Sequence, residues 1–283
     1  MKILTFDIED WFHVLDNAET ADPNGWSEFS TRIEIGVDRI LQLLSDTGQP
    51  ATFFCLGWVA VKYPNIIRKI KRNGHHIASH SHTHQLAYNQ SQAEFEEDLK
   101  LSIDSLQQLV GDKIDTYRAP GFSITANNLW AFESLDMMGI INDCSIFPAS
   151  RAHGGLSGYS CAVPSKIFYQ GVTMNSLPIN TTKILGQDIV YSGGGYFRLL
   201  PLWYLKKRFN HDQYIMTYFH PRDFDPDQPM IPGLSISRKF KSYVGLRGAL
   251  GKLEGILSSH RFLSVDMAVK EIDWLAVNTV NLG

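Results

Sequence analysis

The feature that most restricts how this chain can fold is a regular exchange of strand-like and helix-like segments over its first 145 residues. Lys2–Asp7 is a short apolar run that ends in an acid, and Ile33, Val37, Ile40, Leu41 and Leu44 then recur at helical spacing until Gly48 and Pro50 supply a stop. Ala51–Leu56 reads as a second buried strand, Asn65–Asn73 as a basic helix opened by Pro64 and closed by Gly74, and His76–Ser79 as a third strand. Ser91-Gln-Ala-Glu94 is a capping box ahead of a long helix that carries Phe95, Leu99, Ile103, Leu106 and Val110 on one face. Asp115–Arg118 gives a fourth strand, Asn127–Met138 a helix stopped by Gly139, and Ile140–Cys144 a fifth strand. Five such units with short connections predict parallel strands joined by right-handed crossovers. The fold class is α/β, either a barrel or a doubly wound sheet.

The second half is less regular. Gly171–Ile179 and Tyr214–Phe219 read as strands, Pro201–Arg208 as a short helix, and Gly245–Ser259 as a helix with Leu246, Leu250, Leu253 and Leu257 on a core-facing stripe. Residues 153–158 and Gly193–Gly195 read as loops, and the proline-dense stretch Pro221–Pro232 as an ordered wrapping loop. With no repeat and no linker, one domain is expected over residues 1–283.

Composition narrows the function. The chain of 283 residues sets 26 Lys+Arg against 29 Asp+Glu, a formal charge of −3, which argues against electrostatic binding of nucleic acid. At 44% hydrophobic and 19% charged residues it can build a core without disulfides. Cys55, Cys144 and Cys161 are odd in number and widely spaced, which fits buried thiols in a reducing compartment. No run approaches 18 apolar residues, so no integral membrane segment is expected. The first residues read as a strand and not as a targeting signal, and the expected location is the cytoplasm.

Polar residues gather where strands end. Asp7, Glu9 and Asp10 follow the first strand, and His80, His82 and His84 the third. Arg118 ends the fourth, Asp143 lies in the fifth, and His220 ends the last strong one. In parallel α/β folds the carboxyl ends of strands form the ligand-binding face. Several strands delivering ionisable groups to one rim are hard to explain as packing. His80 and His84 are four apart, so one helical turn brings both imidazoles to one face. With one carboxylate from the first strand they make a His₂-carboxylate set with open positions, suited to a catalytic divalent metal, most of all Zn²⁺.

Five ordered segments carry a resemblance to polysaccharide deacetylases of the NodB-homology type, in the branch whose first motif reads Asp-x-Glu-Asp. They are Thr5–His13, Ser79–His84, Arg118–Phe122, Asp143–Pro148 and Tyr218–Pro221, with Tyr243–Leu246 and His260–Phe262 similar to a C-terminal extension of that branch. The resemblance implies a deformed (β/α) barrel with fewer than eight units, extended by residues 222–283. It also implies metal-dependent removal of N-acetyl groups from a sugar or polysaccharide precursor. Residue by residue, it makes Asp7 the general base, His80 and His84 metal ligands, Arg118 the holder of the base and His220 the general acid. It places the oxyanion donor, a backbone N–H, near Gly121.

The aspartate that usually follows the base is replaced by Ile8, so the third ligand is Glu9 or Asp10. Strand alternation favours Glu9, which lies on the same face as Asp7. Asp143 is the candidate partner of His220. Trp11, Phe12, Phe122, Phe147 and Tyr196 are candidates to stack on sugar rings. The alternatives are an allantoinase-like hydrolase of a cyclic amide on the same fold, and a carbohydrate-binding protein with a dead site.

Overall fold

The computed structural model describes residues 1–15, 17–149, 153–184 and 186–283. Its strands are β1 (Lys2–Ile3), β2 (Thr5–Ile8), β3 (Thr52–Cys55), β4 (His76–Ser79), β5 (Thr116–Tyr117), β6 (Asn142–Asp143), β7 (Ser165–Tyr169), β8 (Val172–Ser176), β9 (Thr182–Ile184), β10 (Gln187–Ile189), β11 (Ile215–Met216) and β12 (Thr279–Asn281). Its helices are α1 (Ile33–Thr47), α2 (Gly57–Lys62), α3 (Pro64–Arg72), α4 (Gln92–Val110), α5 (Ala131–Met137), α6 (Gly194–Leu199), α7 (Leu202–His211), α8 (Ile236–Tyr243), α9 (Leu246–Leu257) and α10 (Val265–Glu271). Eight strands form one sheet in the order β12-β7-β8-β6-β5-β4-β3-β2. From β2 to β6 every pairing is parallel, as the alternation of the first half predicts.

Beyond β2 the sheet is carried on by the last strong strand. β1 pairs with β11 in parallel, and a bridge joins Phe6 to Phe219. Thr5 Oγ1 donates to the Thr217 carbonyl, and Thr217 Oγ1 accepts the Thr5 N–H at 2.8 Å. The strands therefore curl toward a barrel that does not close. The antiparallel hairpin β7–β8 and the parallel edge strand β12 occupy the other end.

The core follows the predicted faces. Ile33, Val37, Ile40, Leu41 and Leu44 of α1 are buried, and Gly48 ends the helix in a left-handed turn at φ 62°. The Ser91/Glu94 capping box opens α4, with both reciprocal bonds formed. In the leucine stripe of α9, Leu246, Leu253 and Leu257 are buried and Leu250 packs partly against them.

Two local expectations change. Gly194 and Gly195 belong to α6 and not to a loop, because Phe197 and Arg198 are buried beneath them and supply a helical face that the glycine run hides. The Tyr214–Phe219 strand shrinks to Ile215–Met216 plus isolated bridges at Tyr218 and Phe219. No helix among the described residues is long and apolar enough to cross a membrane.

Candidate active site

Asp7 is the third residue of β2, the last strand of the eight-stranded order, and is buried. The fully buried Arg118, just beyond β5, donates from Nη1 to Asp7 Oδ1 at 2.7 Å and to Thr5 Oγ1 at 2.9 Å. Its guanidinium lies 4.0 Å from the Phe54 ring centroid, and Nε reaches the Cys144 carbonyl at 3.3 Å. A buried charge needs a partner, and here each ion is the other's.

His80 and His84 meet, but not on a helix. Residues 80–86 are a loop in which Ser81 (φ 70°) and His84 (φ 54°) both take left-handed backbone. Asp98 of α4 holds that loop, accepting the N–H groups of His82 (2.6 Å) and Thr83 (2.9 Å) and the Thr83 hydroxyl. The Ser81 hydroxyl accepts the His84 N–H at 3.0 Å. His80 Nδ1 lies 2.8 Å from the Arg118 carbonyl, which can only accept, so Nδ1 carries the hydrogen and Nε2 keeps its lone pair. His82 is turned away against Gly57.

Glu9 completes the set. One oxygen lies 3.2 Å from His84 Nε2 and the other 3.1 Å from His220 Nε2. Ligand atoms of Glu9, His80 and His84 all fall within 4.8 Å of one another, and all three residues are buried. Burial would raise the Glu9 carboxyl, but His84, His220 and His80 outweigh it and hold it below the usual carboxylate range. Burial pushes His84 down to about 4, so its imidazole is neutral. One carboxylate and two imidazoles, one hydrogen-bonded from behind to a carbonyl, are a donor set that fits a divalent ion.

Asp10, the other candidate ligand, does not join them. Its carboxylate accepts the N–H groups of Arg32 (3.0 Å) and Ile33 (3.3 Å), the Thr31 hydroxyl (2.6 Å) and the Trp11 N–H (2.8 Å). It satisfies the open start of α1, which the sequence concealed because the helix begins more than twenty residues later.

His220 sits between two acids. Nε2 faces Glu9 and lies 4.0 Å from Asp7 Oδ2, while Nδ1 is 3.0 Å from Asp223 Oδ2. Burial works against the imidazolium, but Glu9 and Asp223 overcome it and raise His220 well above its usual range. Asp223 is held down to about 2 against its own burial, chiefly by Arg198, whose Nε lies 3.0 Å away. The partner of His220 is thus Asp223 and not Asp143. Asp143 is fully buried in β6, and neither carboxylate oxygen has a hydrogen bond of normal geometry. Burial lifts it to about 7, with Ser145 and Arg118 offsetting only part of the rise.

A stability effect follows from Asp143. Between about pH 4 and 7 the folded protein keeps a proton that the unfolded chain has released, so stability from this group falls as pH rises through that window. Asp143→Asn is expected to raise Tm at pH 8 by at least about 2–4 °C, the shift worth 1 kcal/mol in a domain of this size. It leaves Tm at pH 4 nearly unchanged. Thermal melts at the two pH values check this, and equal shifts at both would refute it.

These groups line one cavity of about 280 Å³, bounded also by Gly121, Phe122, His13 and His153. Gly121 takes φ 62°, and a Cβ there would stand 2.8 Å from Leu15 and 2.9 Å from Leu86, so only glycine fits. No described residue accepts its N–H, whereas the Phe122 N–H is spent on the Ala119 carbonyl. Trp11 does not line this cavity: it is buried, with its indole N–H on the Ser30 carbonyl. Phe12 and Phe147 are buried and Tyr196 is exposed, and none of the three lines it either.

Three contributors lacked a clear signal in the sequence. Asp223 stands three residues after His220 and also accepts its backbone N–H, a capping spacing that could have pointed to it. Arg198 lay hidden behind the glycine run. His13 accepts the Asp10 N–H on Nδ1, so its Nε2 carries a hydrogen, buried at the cavity edge and without a partner.

Comparison with known proteins bears on the fold and the family. Residues 25–140 match the polysaccharide deacetylase family model, and residues 144–270 match a domain of unknown function, DUF3473. A peptidoglycan-N-acetylglucosamine deacetylase of Bacillus cereus is 33% identical over 96 residues, 34% of this chain and 35% of that protein, so the chain spans about a third of that relative's length. Among solved structures, a protein from Mycobacterium smegmatis assigned as a polysaccharide deacetylase superposes with a TM-score of 0.67 at 17% identity, over 98% of this chain and 91% of that one. A 4-alpha-glucanotransferase from Thermococcus litoralis gives 0.62 at 12% identity, over 100% of this chain and 41% of that one, so the fold alone does not fix the reaction. A CE4-family pseudoenzyme from Bacillus anthracis gives 0.50 at 13% identity, over 99% and 66%. These comparisons support a polysaccharide deacetylase domain over residues 25–140.

Proposed function

We propose that the protein is a metal-dependent hydrolase that removes N-acetyl groups from a glycan or glycan precursor and releases acetate. One observation carries this reading: a buried Glu9–His80–His84 ligand set shares a single cavity with Asp7, backed by Arg118, and with His220, backed by Asp223. The match to a deacetylase over part of its length supports it.

A zinc ion held by Glu9, His80 and His84 would polarise the acetamide carbonyl and acidify water. Asp7 accepts the proton of the attacking water, and Arg118 keeps that carboxylate aimed. The Gly121 N–H is free to bond the developing oxyanion. His220, oriented by Asp223 on Nδ1, carries on Nε2 the proton that the departing amine needs. An amine leaves poorly until protonated, so a base and an acid are both required.

Residues 1–283 act in this reading as one catalytic unit, in which 222–283 supply Asp223 and part of the cavity wall. The buried, unpaired Cys55, Cys144 and Cys161 favour a reducing compartment such as the cytoplasm.

The test is acetate release from a panel of N-acetylated sugars by zinc-loaded protein, with a cyclic amide as control. Asp7→Asn is expected to keep its metal while turnover falls by about 10²–10⁴, the usual worth of a positioned base. Loss of metal in that variant would make Asp7 a ligand instead. Fully loaded wild type that hydrolyses only the cyclic amide would replace deacetylation with the allantoinase-like activity.

A further inference from the structure

The cavity carries more positive charge than its chemistry uses. Three carboxylates line it, and each is engaged: Asp7 with Arg118, Asp223 with Arg198, and Glu9 between His84 and His220. Arg222, Arg238 and Lys241 line the same cavity in addition. Arg238 donates to the Leu15 carbonyl at 2.8 Å. Among the described residues no hydrogen bond or ion pair reaches the Arg222 guanidinium or the Lys241 ammonium. The whole chain has a formal charge of −3, so this excess is local.

The backbone that carries both cations is held, although the Lys241 side chain is exposed. Arg222 lies two residues after His220, in a 3₁₀ turn begun by Pro221, and its carbonyl accepts the Gln228 side-chain amide at 2.6 Å. Lys241 lies near the end of α8, and Arg198 donates to the carbonyls of Lys241 (3.0 Å), Ser242 (2.9 Å) and Val244 (2.9 Å). The arginine that clamps this helix end also binds Asp223, so the helix that bears Lys241 and the carboxylate that orients His220 are tied through one side chain. Partly burying a guanidinium without a hydrogen-bonded or ion-paired partner is costly. A ligand anion would remove that cost.

We propose that the substrate presents an anionic group, phosphate or carboxylate, to Arg222 and Lys241, within about one sugar of the acetamide that reacts. This rests on the deacetylase reading and narrows its substrate class. The closeness follows from the cavity: about 280 Å³ is at the small end for a ligand pocket, and one sugar with its substituents fills it. Arg222 offers a planar fork that matches either oxyanion, and Lys241 a mobile point charge on the wall of the same cavity. A neutral glycan would leave both cations unanswered.

The experiment compares N-acetylglucosamine, its 1-phosphate and N-acetylmuramic acid on zinc-loaded protein, by calorimetry and by acetate release. One or both anionic sugars are expected to bind about ten- to a hundredfold more tightly than the neutral one, the worth of a charge-assisted hydrogen bond. The preference shrinks between 50 and 500 mM salt, a readout that needs no variant. In Arg222→Gln/Lys241→Gln the ratio of anionic to neutral affinity falls toward one, and the change in turnover lies in KM more than in kcat. The phosphate and carboxylate arms identify which anion is meant.

Equal binding of all three sugars by wild type overturns the proposal. So does a preference that survives in the double variant, since the anion would then be held by the metal. Absence of acetate from every sugar would bring down the deacetylase reading. Calorimetry needs no turnover and would still decide whether the anion site exists.

Discussion

Arg118→Met is expected to lower the free energy of unfolding by about 3–5 kcal/mol, the cost of leaving a buried charge without its partner. The guanidinium is wholly buried and touches Asp7, Thr5 and the Cys144 carbonyl, while His220 Nε2 stands 4.0 Å from Asp7 Oδ2 and is already engaged by Glu9. Urea denaturation reads the loss as a lower midpoint at an unchanged slope. The double variant Arg118→Met/Asp7→Leu should regain much of the stability, because removing both charges is far cheaper than removing one. It should regain no activity. A single variant within 1 kcal/mol of wild type would mean that the pair is hydrated and that Asp7 is held by something else.

Glu9→Gln is expected to have the largest effect on function. The substitution keeps the shape of the side chain and removes the charge that faces both His84 and His220. Metal content by elemental analysis should drop to below about a tenth of stoichiometric. Acetate release should fall by at least about 10⁴, because water that is no longer acidified returns from a pKa near 7 toward 15.7. Asp10→Asn is the matched control, one residue along. It should keep its metal and lose about 0.5–2 kcal/mol of stability, as a weakened helix start does. Full metal in Glu9→Gln with depleted metal in Asp10→Asn would reverse the assignment.

Much of this was legible in the sequence because it rests on short-range pattern. The strand–helix exchange predicted parallel β2 to β6, and the ionisable residues at strand ends predicted which rim would carry the site. What was hidden depends on contacts between distant segments. Asp10 looked like a ligand because its true role, at the start of a helix beginning at Ile33, cannot be read locally. Asp143 looked like the partner of His220 because it opens the fourth segment of the family resemblance, yet it lies fully buried in β6 while Asp223 takes His220 Nδ1. The helical turn expected for His80 and His84 fails because Ser81 and His84 are left-handed without glycine, held so by Asp98 fourteen residues on. Trp11 looked like a sugar platform, and the buried aromatic packing around it with Phe12 and Phe29 shows how readily such residues serve the core.

The pairing of β1 and β2 with the segment around β11 sets the order in which this molecule can assemble. Thr5 and Thr217, which lock that seam, are 212 positions apart in the chain. Contacts of such long sequence separation form late and slow folding, because the intervening loop must be closed before they contribute. As the chain leaves the ribosome, β2 to β6 can gather into a half-sheet bearing Asp7, Glu9, His80, His84 and Arg118. That half-sheet has two bare edges, at β2 and, until β8 pairs with it, at β6, and it has neither His220 nor Asp223. Until about residue 224 has emerged the molecule therefore lacks the His220–Asp223 pair of its cavity and is open to strand pairing with its neighbours. Mutations that loosen the Thr5–Thr217 seam should show first as aggregation during synthesis, well before they register as a change in turnover.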